Sequence, residues 1–248
     1  MSQPTRALIL AAGYGSRMGA LTADRPKAML DVDGRSLIEH QLDTLASYGV
    51  TDVTVVVGYQ SHAMRSHLGT RVHFIENARY RETNSVYSLW LGRDTLKRGS
   101  IVMNSDLLVS PELLGRLISA PVEDAVLVDR TSAMQEEEMK VRIWEGFAID
   151  FGKDLPASQA HAENVGILKF GANGGRRLVD HLTALIGGGL VNAWAPRAFR
   201  ALASAWPLRA IDTGGLPWTE IDFPEDLERA RQVIAPAIGG RGDGRLAA

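Results

Sequence analysis

The sequence predicts an α/β fold of three layers, in which helices cover both faces of a mostly parallel, Rossmann-like mixed sheet. Short apolar runs alternate with amphipathic segments through the first half of the chain. Strands that are joined by crossover helices form a parallel sheet with both faces covered. The 248 residues suffice for one large domain or two small ones, and no segment has the composition of a linker. We therefore expect a single domain over 1–237 and a flexible tail over 238–248.

The first half of the chain supplies five expected strands and two clearly marked helix starts. The strands are the apolar runs 7–12, 53–57, 72–75, 101–103 and 125–128. Runs this short and apolar are typical of strands that are buried on both faces. Ser36 and Glu39 have the spacing of a capping box, which begins a helix. Ser110 followed by Pro111 begins another, with serine as the N-cap and proline in the first turn.

The second half has a less regular pattern. Its strand-like pieces are 140–144, 147–151 and 165–170, its helical stretches are 175–186 and 196–205, and a last helix starts at Phe223. Three glycines at 187–189 separate the two helical stretches. A glycine-rich segment at 239–244 has the composition of a frayed tail.

Charge and cysteine usage exclude several classes of function. The chain has 27 basic and 29 acidic side chains, whereas proteins that bind nucleic acid or anionic lipid usually carry a basic excess. It has no cysteine, which excludes disulfides, zinc–cysteine sites and thiol catalysis. The apolar run at 7–12 is too short for a signal peptide or a membrane span. We expect a cytoplasmic protein with no nucleic-acid or membrane partner, and a homodimer is the assembly that we consider.

The strongest motif is the segment LAAGYGSRMG at 10–19, which RPK follows at 25–27. A glycine-rich loop after the first strand lets backbone N–H groups approach an anion closely. Arg17 and Lys27 add two positive charges at the same place. A triphosphate needs this combination, because its charge must be neutralised along its length. A tight turn with two surface bases is the alternative.

A dinucleotide site competes with this interpretation, since Asp33 lies about twenty residues beyond the first glycine, as the nicotinamide fingerprint requires. The glycine spacing, however, is G-x-G-x-x-x-G, and an arginine is unusual inside that turn. No G-K-[ST] follows, so the loop is not a Walker motif.

These segments closely resemble the nucleotidyltransferases that activate sugar 1-phosphates and small phospho-alcohols, with the signature L-A-A-G-x-G-[ST]-R followed by P-K. The likeness continues over most of the chain, at residues 83–90, 104–106, 139–141, 153–156, 163–167 and 218–222. The combination is most similar to the phosphocholine and aminoethylphosphonate cytidylyltransferase branch. The resemblance implies a fold like that of the nucleotide-diphospho-sugar transferases. It also implies nucleotide contacts from Leu10, Ala12, Gly13, Gly15, Ser16, Asn84 and Ser105.

Asp106 and Asp222 are the candidate metal ligands. Asp106 comes just beyond the apolar strand at 101–103, and Asp222 lies in a strand-to-helix turn before Pro224. Carboxylates brought together from distant sequence suit magnesium, which prefers hard oxygen ligands shared with phosphates. Each aspartate could instead form a turn or a cap, and Asp222 could cap the helix at Pro224. The resemblance implies that both hold Mg²⁺.

Four further residues are candidates for the second substrate. By resemblance, Lys153 contacts the phosphoryl group of the acceptor, so that Arg17, Lys27 and Lys153 form the catalytic set; a solvated surface lysine is the alternative. Glu163 could meet a cationic acceptor group or end a loop. Trp194 and Trp218 could bind a quaternary ammonium through cation–π attraction, although core packing is the commoner role of tryptophan.

Three functions are compatible with these residues. The first is a magnesium-dependent transfer of a nucleotidyl group from CTP to a small amino- or choline-type phosphate or phosphonate, with release of pyrophosphate. The second replaces the acceptor by a sugar 1-phosphate and CTP by UTP, dTTP or GTP. The third is a nucleotide-binding regulatory module or a dinucleotide oxidoreductase. We favour the first.

Overall fold

A computed structural model describes residues 5–133 and 136–242 of the chain. The strands are β1 (Arg6–Ala11), β2 (Asp31–Val32), β3 (Arg35–Ser36), β4 (Asp52–Val57), β5 (His73–Glu76), β6 (Ser100–Asn104), β7 (Leu107–Val109), β8 (Ala125–Asp129), β9 (Lys140–Trp144), β10 (Phe147–Gly152), β11 (Ala162–Phe170), β12 (Leu208–Asp212) and β13 (Trp218–Glu220). The helices are α1 (Leu37–Ser47), α2 (Ser61–Leu68), α3 (Ser85–Leu91), α4 (Arg93–Lys97), α5 (Pro111–Ser119), α6 (Ala172–Gly187), α7 (Pro196–Ala203), α8 (Pro224–Arg229) and α9 (Ala235–Gly242). A π-helical turn at 230–234 joins the last two helices.

The central sheet has nine strands in the order β5-β4-β1-β6-β11-β8-β12-β10-β9. The first four are mutually parallel, so their carboxyl ends meet at one edge. In contrast, β11 runs antiparallel to both β6 and β8. The second half of the sheet is therefore more mixed than the first.

Helices cover both faces of this sheet. One face packs against α1, α2 and α5, and the other against α3, α4, α6 and α7. The predicted three-layer α/β class is thus confirmed. Among the described residues, no helix combines the length and the apolar composition that crossing a bilayer requires.

A third, smaller core joins segments that are far apart in sequence. Met18 of the glycine-rich segment, Leu108 of β7, Ile221 beyond β13 and Leu227 of α8 are all buried in it. The short strands β7 and β13 pair antiparallel in the same region. This core therefore fixes the turn after β6 beside the segment that follows β13, and both segments carry candidate metal ligands.

The elements expected from the sequence are mostly present, with one difference at the end of the chain. The expected strands of the first half correspond to β1, β4, β5, β6 and β8. The helices expected at 37, 111, 175, 196 and 224 correspond to α1, α5, α6, α7 and α8. Residues 238–242, however, continue α9 instead of starting a tail. The rest of the predicted tail, 243–248, lies outside the described residues.

The capping box at the start of α1 gives a stability prediction. The Glu39 carboxylate accepts hydrogen bonds from Ser36 Oγ at 2.7 Å and from the Ser36 amide at 3.0 Å. These bonds, more than the nearby His67 and Arg71, lower the pKa of Glu39 to about 2. A lowered acid pKa stabilises the fold above the unfolded pKa, and this contribution is lost as pH falls from 4.5 towards 2. We expect Glu39→Gln to lower the free energy of unfolding by about 1–2 kcal/mol at pH 7.

Urea denaturation at pH 7 and pH 3 checks this expectation. The loss should be smaller at pH 3, because the unfolded chain then binds a proton at Glu39 that the folded wild type, with its lowered pKa, does not bind, and part of the stabilisation is already gone. Asp43→Asn is the matched control: Asp43 pairs with Arg35 on the surface, where both side chains are about half exposed. Such a pair contributes little. Equal losses of unfolding free energy in Glu39→Gln and Asp43→Asn at pH 7 would contradict the stabilising role of the capping box.

Candidate active site

A cleft of about 450 Å³ opens at the carboxyl ends of the parallel strands. This is the place where ligands of open α/β sheets bind. Most of the residues singled out from the sequence line it, namely Leu10, Ala12, Gly13, Gly15, Ser16, Arg17, Lys27, Asn84, Ser105, Asp106, Lys153, Trp194 and Asp222. Glu163 and Trp218 are not among its lining residues.

The glycine-rich loop turns sharply after β1. Gly15 has a φ of 67°, in the left-handed region that glycine adopts without strain. Its carbonyl accepts a hydrogen bond from Thr22 Oγ1 at 3.0 Å, which holds the following 3₁₀ turn. A Cβ atom at Gly15 would lie 3.2 Å from Lys27 Cβ. The absence of a side chain therefore lets the stem of Lys27 run directly beside the loop.

Two cations and two carboxylates meet at the mouth of this loop. Lys27 Nζ lies 2.7 Å from Asp106 Oδ2 and 2.8 Å from Asp222 Oδ1. Arg17 Nη2 lies 2.9 Å from Asp222 Oδ2, and its guanidinium also stands 5.2 Å from the centroid of the Phe223 ring. Burial alone would lower the pKa of Lys27, but the charges of Asp106 and Asp222 outweigh burial and raise it. The sequence placed these groups in one cleft without indicating that they pair with each other.

A third carboxyl group, Glu220, completes this cluster. Oxygen atoms of Asp106, Glu220 and Asp222 all lie within 4.8 Å of one another. Part of the Glu220 surface faces the cleft, yet protein surrounds its carboxyl group. This burial, reinforced by the charges of Asp106 and Asp222, raises its pKa to about 8. Among the described residues, Asp106 Oδ1 is buried and has no hydrogen-bond partner. An oxygen-rich cluster with a free acceptor fits a hard divalent cation.

Glu220 was not predicted from the sequence, although a signal was present. Glu220 and Asp222 flank the buried Ile221 at the end of an extended segment, so their side chains fall on one side of it. The signal is this alternation, because neither residue is distinctive by itself.

Backbone contacts hold the two halves of the cluster together. The Ile221 amide donates to the Asp106 carbonyl at 2.9 Å. The buried Gln41 of α1 donates from Nε2 to the carbonyls of Asn104 and Leu107, each at 3.0 Å, and so fixes the turn that carries Asp106. Asp222 and Glu220 are thereby placed against Asp106 although they are more than 110 residues away in the chain.

The alternative role of Asp222 as a helix cap is wrong. Asp226 Oδ2 accepts the backbone N–H groups of Asp222 and Phe223, at 2.9 and 2.8 Å. Asp226 therefore stabilises the start of α8, and the side chain of Asp222 is left to face Arg17 and Lys27.

Around Asn84, one of the predicted nucleotide contacts, a buried network shapes the loop before α3. Asn77 Nδ2 donates to Thr83 Oγ1 and Ser88 Oγ, each at 3.1 Å. Asn84 caps α3, where its Oδ1 accepts the Ser85 amide at 2.8 Å. Asn77 also lines the cleft and was not singled out from the sequence. The side-chain amide of Asn77 thus bonds to a residue on each side of Asn84, and these bonds hold Asn84 at the cleft.

Elsewhere in the cleft, Lys153 lies between an aromatic ring and a carboxylate. Its Nζ stands 4.8 Å from the centroid of the Trp194 ring and 3.0 Å from Glu137 Oε2. The Trp194 side chain is about half exposed. The buried Lys140 donates to the Lys153 carbonyl at 3.0 Å, and so ties this loop to β9.

Glu163 and Trp218, the other two candidates for the acceptor, do not line the cleft. Trp218 Nε1 donates to Asp129 Oδ2 at 2.6 Å, and its ring packs against the apolar core. Glu163 lies on β11, where burial raises its pKa despite a hydrogen bond with Ser132. For Trp218 the core alternative is correct, because the indole ring finds both a packing surface and a hydrogen-bond acceptor there.

Comparison with known proteins agrees with this geometry. The family model of the MobA-like NTP transferase domain matches residues 7–207. The chain belongs to this family. The resemblance found in the sequence is confirmed, since relatives of this nucleotidyltransferase include 2-aminoethylphosphonate and choline-phosphate cytidylyltransferases.

Two relatives align over almost the whole nucleotidyltransferase. The CTP:phosphoglutamine cytidylyltransferase of Campylobacter jejuni is 27% identical over 247 residues, which are 90% of this chain and 97% of that protein. The CMP-5'-(3-aminopropyl)phosphonate synthase of Streptomyces rubellomurinus is 30% identical over 94% of this chain, which spans only 39% of that longer protein.

A solved structure confirms the fold. The CTP:phosphocholine cytidylyltransferase from Streptococcus pneumoniae superposes with a TM-score of 0.76 and 21% identity, covering 92% of this chain and 98% of that one. At this level of identity the match shows the fold alone. Together the comparisons make the chain a cytidylyltransferase-like nucleotidyltransferase.

Proposed function

We propose that the enzyme transfers a cytidylyl group from CTP to the phosphate or phosphonate of a small acceptor and releases pyrophosphate. The observation that carries this proposal is the pairing of Arg17 and Lys27 with Asp106 and Asp222 at the mouth of the glycine-rich loop. The names of three relatives, the phosphoglutamine, 2-aminoethylphosphonate and choline-phosphate cytidylyltransferases, support CTP as the nucleotide.

The reaction is an in-line displacement at the α-phosphorus of the nucleotide. An acceptor oxygen forms the new P–O bond while the bond to the β-phosphate breaks, and pyrophosphate leaves with that electron pair. A phosphate acceptor is largely ionised near neutral pH, because its second pKa is about 6. No general base is then needed. The barrier is the approach of two anions, so Arg17, Lys27 and Lys153 act by neutralising charge and positioning both substrates.

Asp106, Glu220 and Asp222 are the residues that would hold a magnesium ion. The fit rests on three oxygen donors within 4.8 Å of one another and on the unpartnered Asp106 Oδ1. Bound there, the ion supplies electrostatic stabilisation of the charge on the transferred phosphoryl group.

The acceptor site suits a molecule with a positive group at the end opposite its phosphorus. Trp194 offers an aromatic face and Glu137 a carboxylate, and the ammonium of Lys153 already rests between them. An acceptor ammonium can take this place when Lys153 turns to the phosphoryl oxygens. The acceptor ammonium is then bound by cation–π attraction to Trp194 and by the opposite charge of Glu137. We therefore favour an amino- or choline-type phosphate or phosphonate.

Pyrophosphate release tests this function. The purified enzyme is assayed with magnesium and each of CTP, UTP, GTP and dTTP against phosphocholine, 2-aminoethylphosphonate and glucose 1-phosphate. Release with CTP and a cationic acceptor supports the proposal. Release only with the sugar phosphate, or with a different nucleotide, favours the sugar 1-phosphate alternative. A thermal shift with NADH and no pyrophosphate release with any pair would overturn both.

Trp194→Ala tests the acceptor end separately. We expect the KM for a cationic acceptor to rise about 5- to 30-fold. This is the loss of affinity expected when one cation–π contact is removed, the smaller value for an exposed site and the larger for a desolvated one. The KM for the nucleotide should change little, since the Trp194 ring contacts the ammonium of Lys153, which we assign to the acceptor. Trp144→Ala is the control, because Trp144 is 66% exposed and does not line the cleft. An acceptor KM that rises equally in both variants would argue against a cation on the Trp194 ring.

A further inference from the structure

We infer that Lys27 has a second role beyond binding phosphates: in the nucleotide-free enzyme its ammonium occupies the position of the divalent cation and keeps the metal out. This inference rests on the proposed function, because it concerns the carboxylates that would hold magnesium. It makes nucleotide binding the event that opens the metal site.

The position of the ammonium carries the first step. Lys27 Nζ lies within 2.8 Å of both Asp106 and Asp222, between two of the three carboxyl groups that form the cluster. A divalent cation coordinated by Asp106 Oδ2 and Asp222 Oδ1, the two oxygens that Lys27 contacts, would stand where the ammonium is. Two cations cannot share that space, because their repulsion in a partly buried site is strong. Metal binding therefore requires Lys27 to leave at least one carboxylate.

The charge balance leads to the same conclusion. Arg17 and Lys27 together neutralise Asp106 and Asp222 in the present arrangement. The Lys27 side chain is only 14% exposed, so water screens these pairs weakly. If Arg17 and Lys27 both stayed in place, an entering dication would find the charges of Asp106 and Asp222 already neutralised.

The side chain of Lys27 runs beside the glycine-rich loop. Its backbone is fixed in a short 3₁₀ turn after Pro26, so the ammonium can move only by rotation of its side chain. The side chain passes beside Gly15, whose missing Cβ would lie 3.2 Å from Lys27 Cβ and 3.8 Å from Lys27 Cδ. A triphosphate in the glycine-rich loop would offer the ammonium a new anionic partner within reach of this stem. Nucleotide and metal then bind cooperatively, since each favours the same displaced lysine.

Direct metal binding tests the inference without turnover. Mn²⁺ is titrated into the nucleotide-free wild type, Lys27→Met and Arg17→Met, and free Mn²⁺ is measured by electron paramagnetic resonance. We expect Lys27→Met to bind Mn²⁺ at least about tenfold more tightly, because the competing cation is gone. Arg17→Met should change the affinity less than about threefold, since Arg17 touches only Asp222 in the cluster and is half exposed. Affinity in Lys27→Met that equals or falls below the wild-type value overturns the inference.

A second variant keeps the inference testable if Lys27→Met does not fold. Lys27→Gln removes the positive charge but keeps an amide that can donate a hydrogen bond to an aspartate. In the nucleotide-free state it should also bind Mn²⁺ at least about tenfold more tightly than the wild type, because the competing cation is gone. Affinity that equals or falls below the wild-type value overturns the inference. Failure here with wild-type turnover on CTP leaves the proposed function standing, whereas absence of turnover with any pair removes the proposed function itself.

Discussion

An Asp106→Asn enzyme is expected to turn over about 10²- to 10³-fold more slowly than the wild type while its fold stays intact. Asparagine keeps the size of the side chain and can still accept a hydrogen bond from Lys27. The contact between the Asp106 carbonyl and the Ile221 amide, which joins the two halves of the cluster, involves only the backbone. The variant therefore loses a negative charge without losing the turn that carries it.

The slower turnover of Asp106→Asn should appear in kcat, measured at saturating nucleotide, acceptor and magnesium. A missing metal ligand weakens the stabilisation of charge that develops in the transition state, and this lowers turnover even when the substrates are bound. Asp212→Asn is the control, since Asp212 pairs with Arg130 on the surface and does not line the cleft. Thermal unfolding of both variants shows whether the fold is kept. Wild-type turnover in Asp106→Asn would remove Asp106 from the site.

The sequence was informative wherever function depends on the end of a buried strand. The apolar runs 7–12 and 101–103 predicted β1 and β6. The side chains that follow these two strands do lie at one edge of the sheet. The glycine-rich loop was recognisable because its backbone requirement is local. Arg17 and Lys27 were placed beside it for the same reason.

What the sequence could not show is the pairing of short, distant segments. β7 and β13 have three residues each, too few for a periodic signal, and their pairing brings Glu220 to Asp106. Trp218 lies in this same strand, but its indole donates to Asp129 and packs against the core, while Glu220 lines the cleft. The role of each residue there depends on which distant segments pack against it, and no single residue indicates that.

The sequence also indicated only part of the surroundings of Arg17 and Lys27. The proposed neutralisation of a triphosphate predicts that Arg17 and Lys27 lie in the cleft, but it does not predict their partners in the nucleotide-free protein. In the structure these partners are the aspartates. A residue that neutralises substrate must be neutralised in its absence, because a buried unpaired charge is strongly destabilising.

Glu220→Gln is expected to make the metal-free protein more stable at pH 8 by on the order of 3 kcal/mol, with little difference at pH 5. Burial and the charges of Asp106 and Asp222 raise the pKa of Glu220 to about 8, above the ordinary value of 4.5. Between these values the folded protein keeps a proton that the unfolded chain has released. The free energy of unfolding therefore falls as pH rises from 4.5 to 8. Glutamine carries no such charge, so the variant lacks this part of the pH dependence.

Urea denaturation in EDTA at pH 5, 6.5 and 8 measures the difference, with Glu225→Gln as a control because Glu225 is exposed on α8. The control should show no comparable change with pH. A stability difference between Glu220→Gln and the wild type that is the same at pH 5 and pH 8 would mean that Glu220 is not held in its protonated form.

The same substitution should lower turnover, because the third carboxylate of the cluster is lost. A group that destabilises the free protein and supports the reaction is kept for its function, since strain of this kind is common where an active site must gather like charges. Higher stability at pH 8 together with turnover at least about tenfold lower is thus the result expected of a metal ligand. Higher stability with undiminished turnover would instead show that Asp106 and Asp222 suffice, and that Glu220 only borders the site.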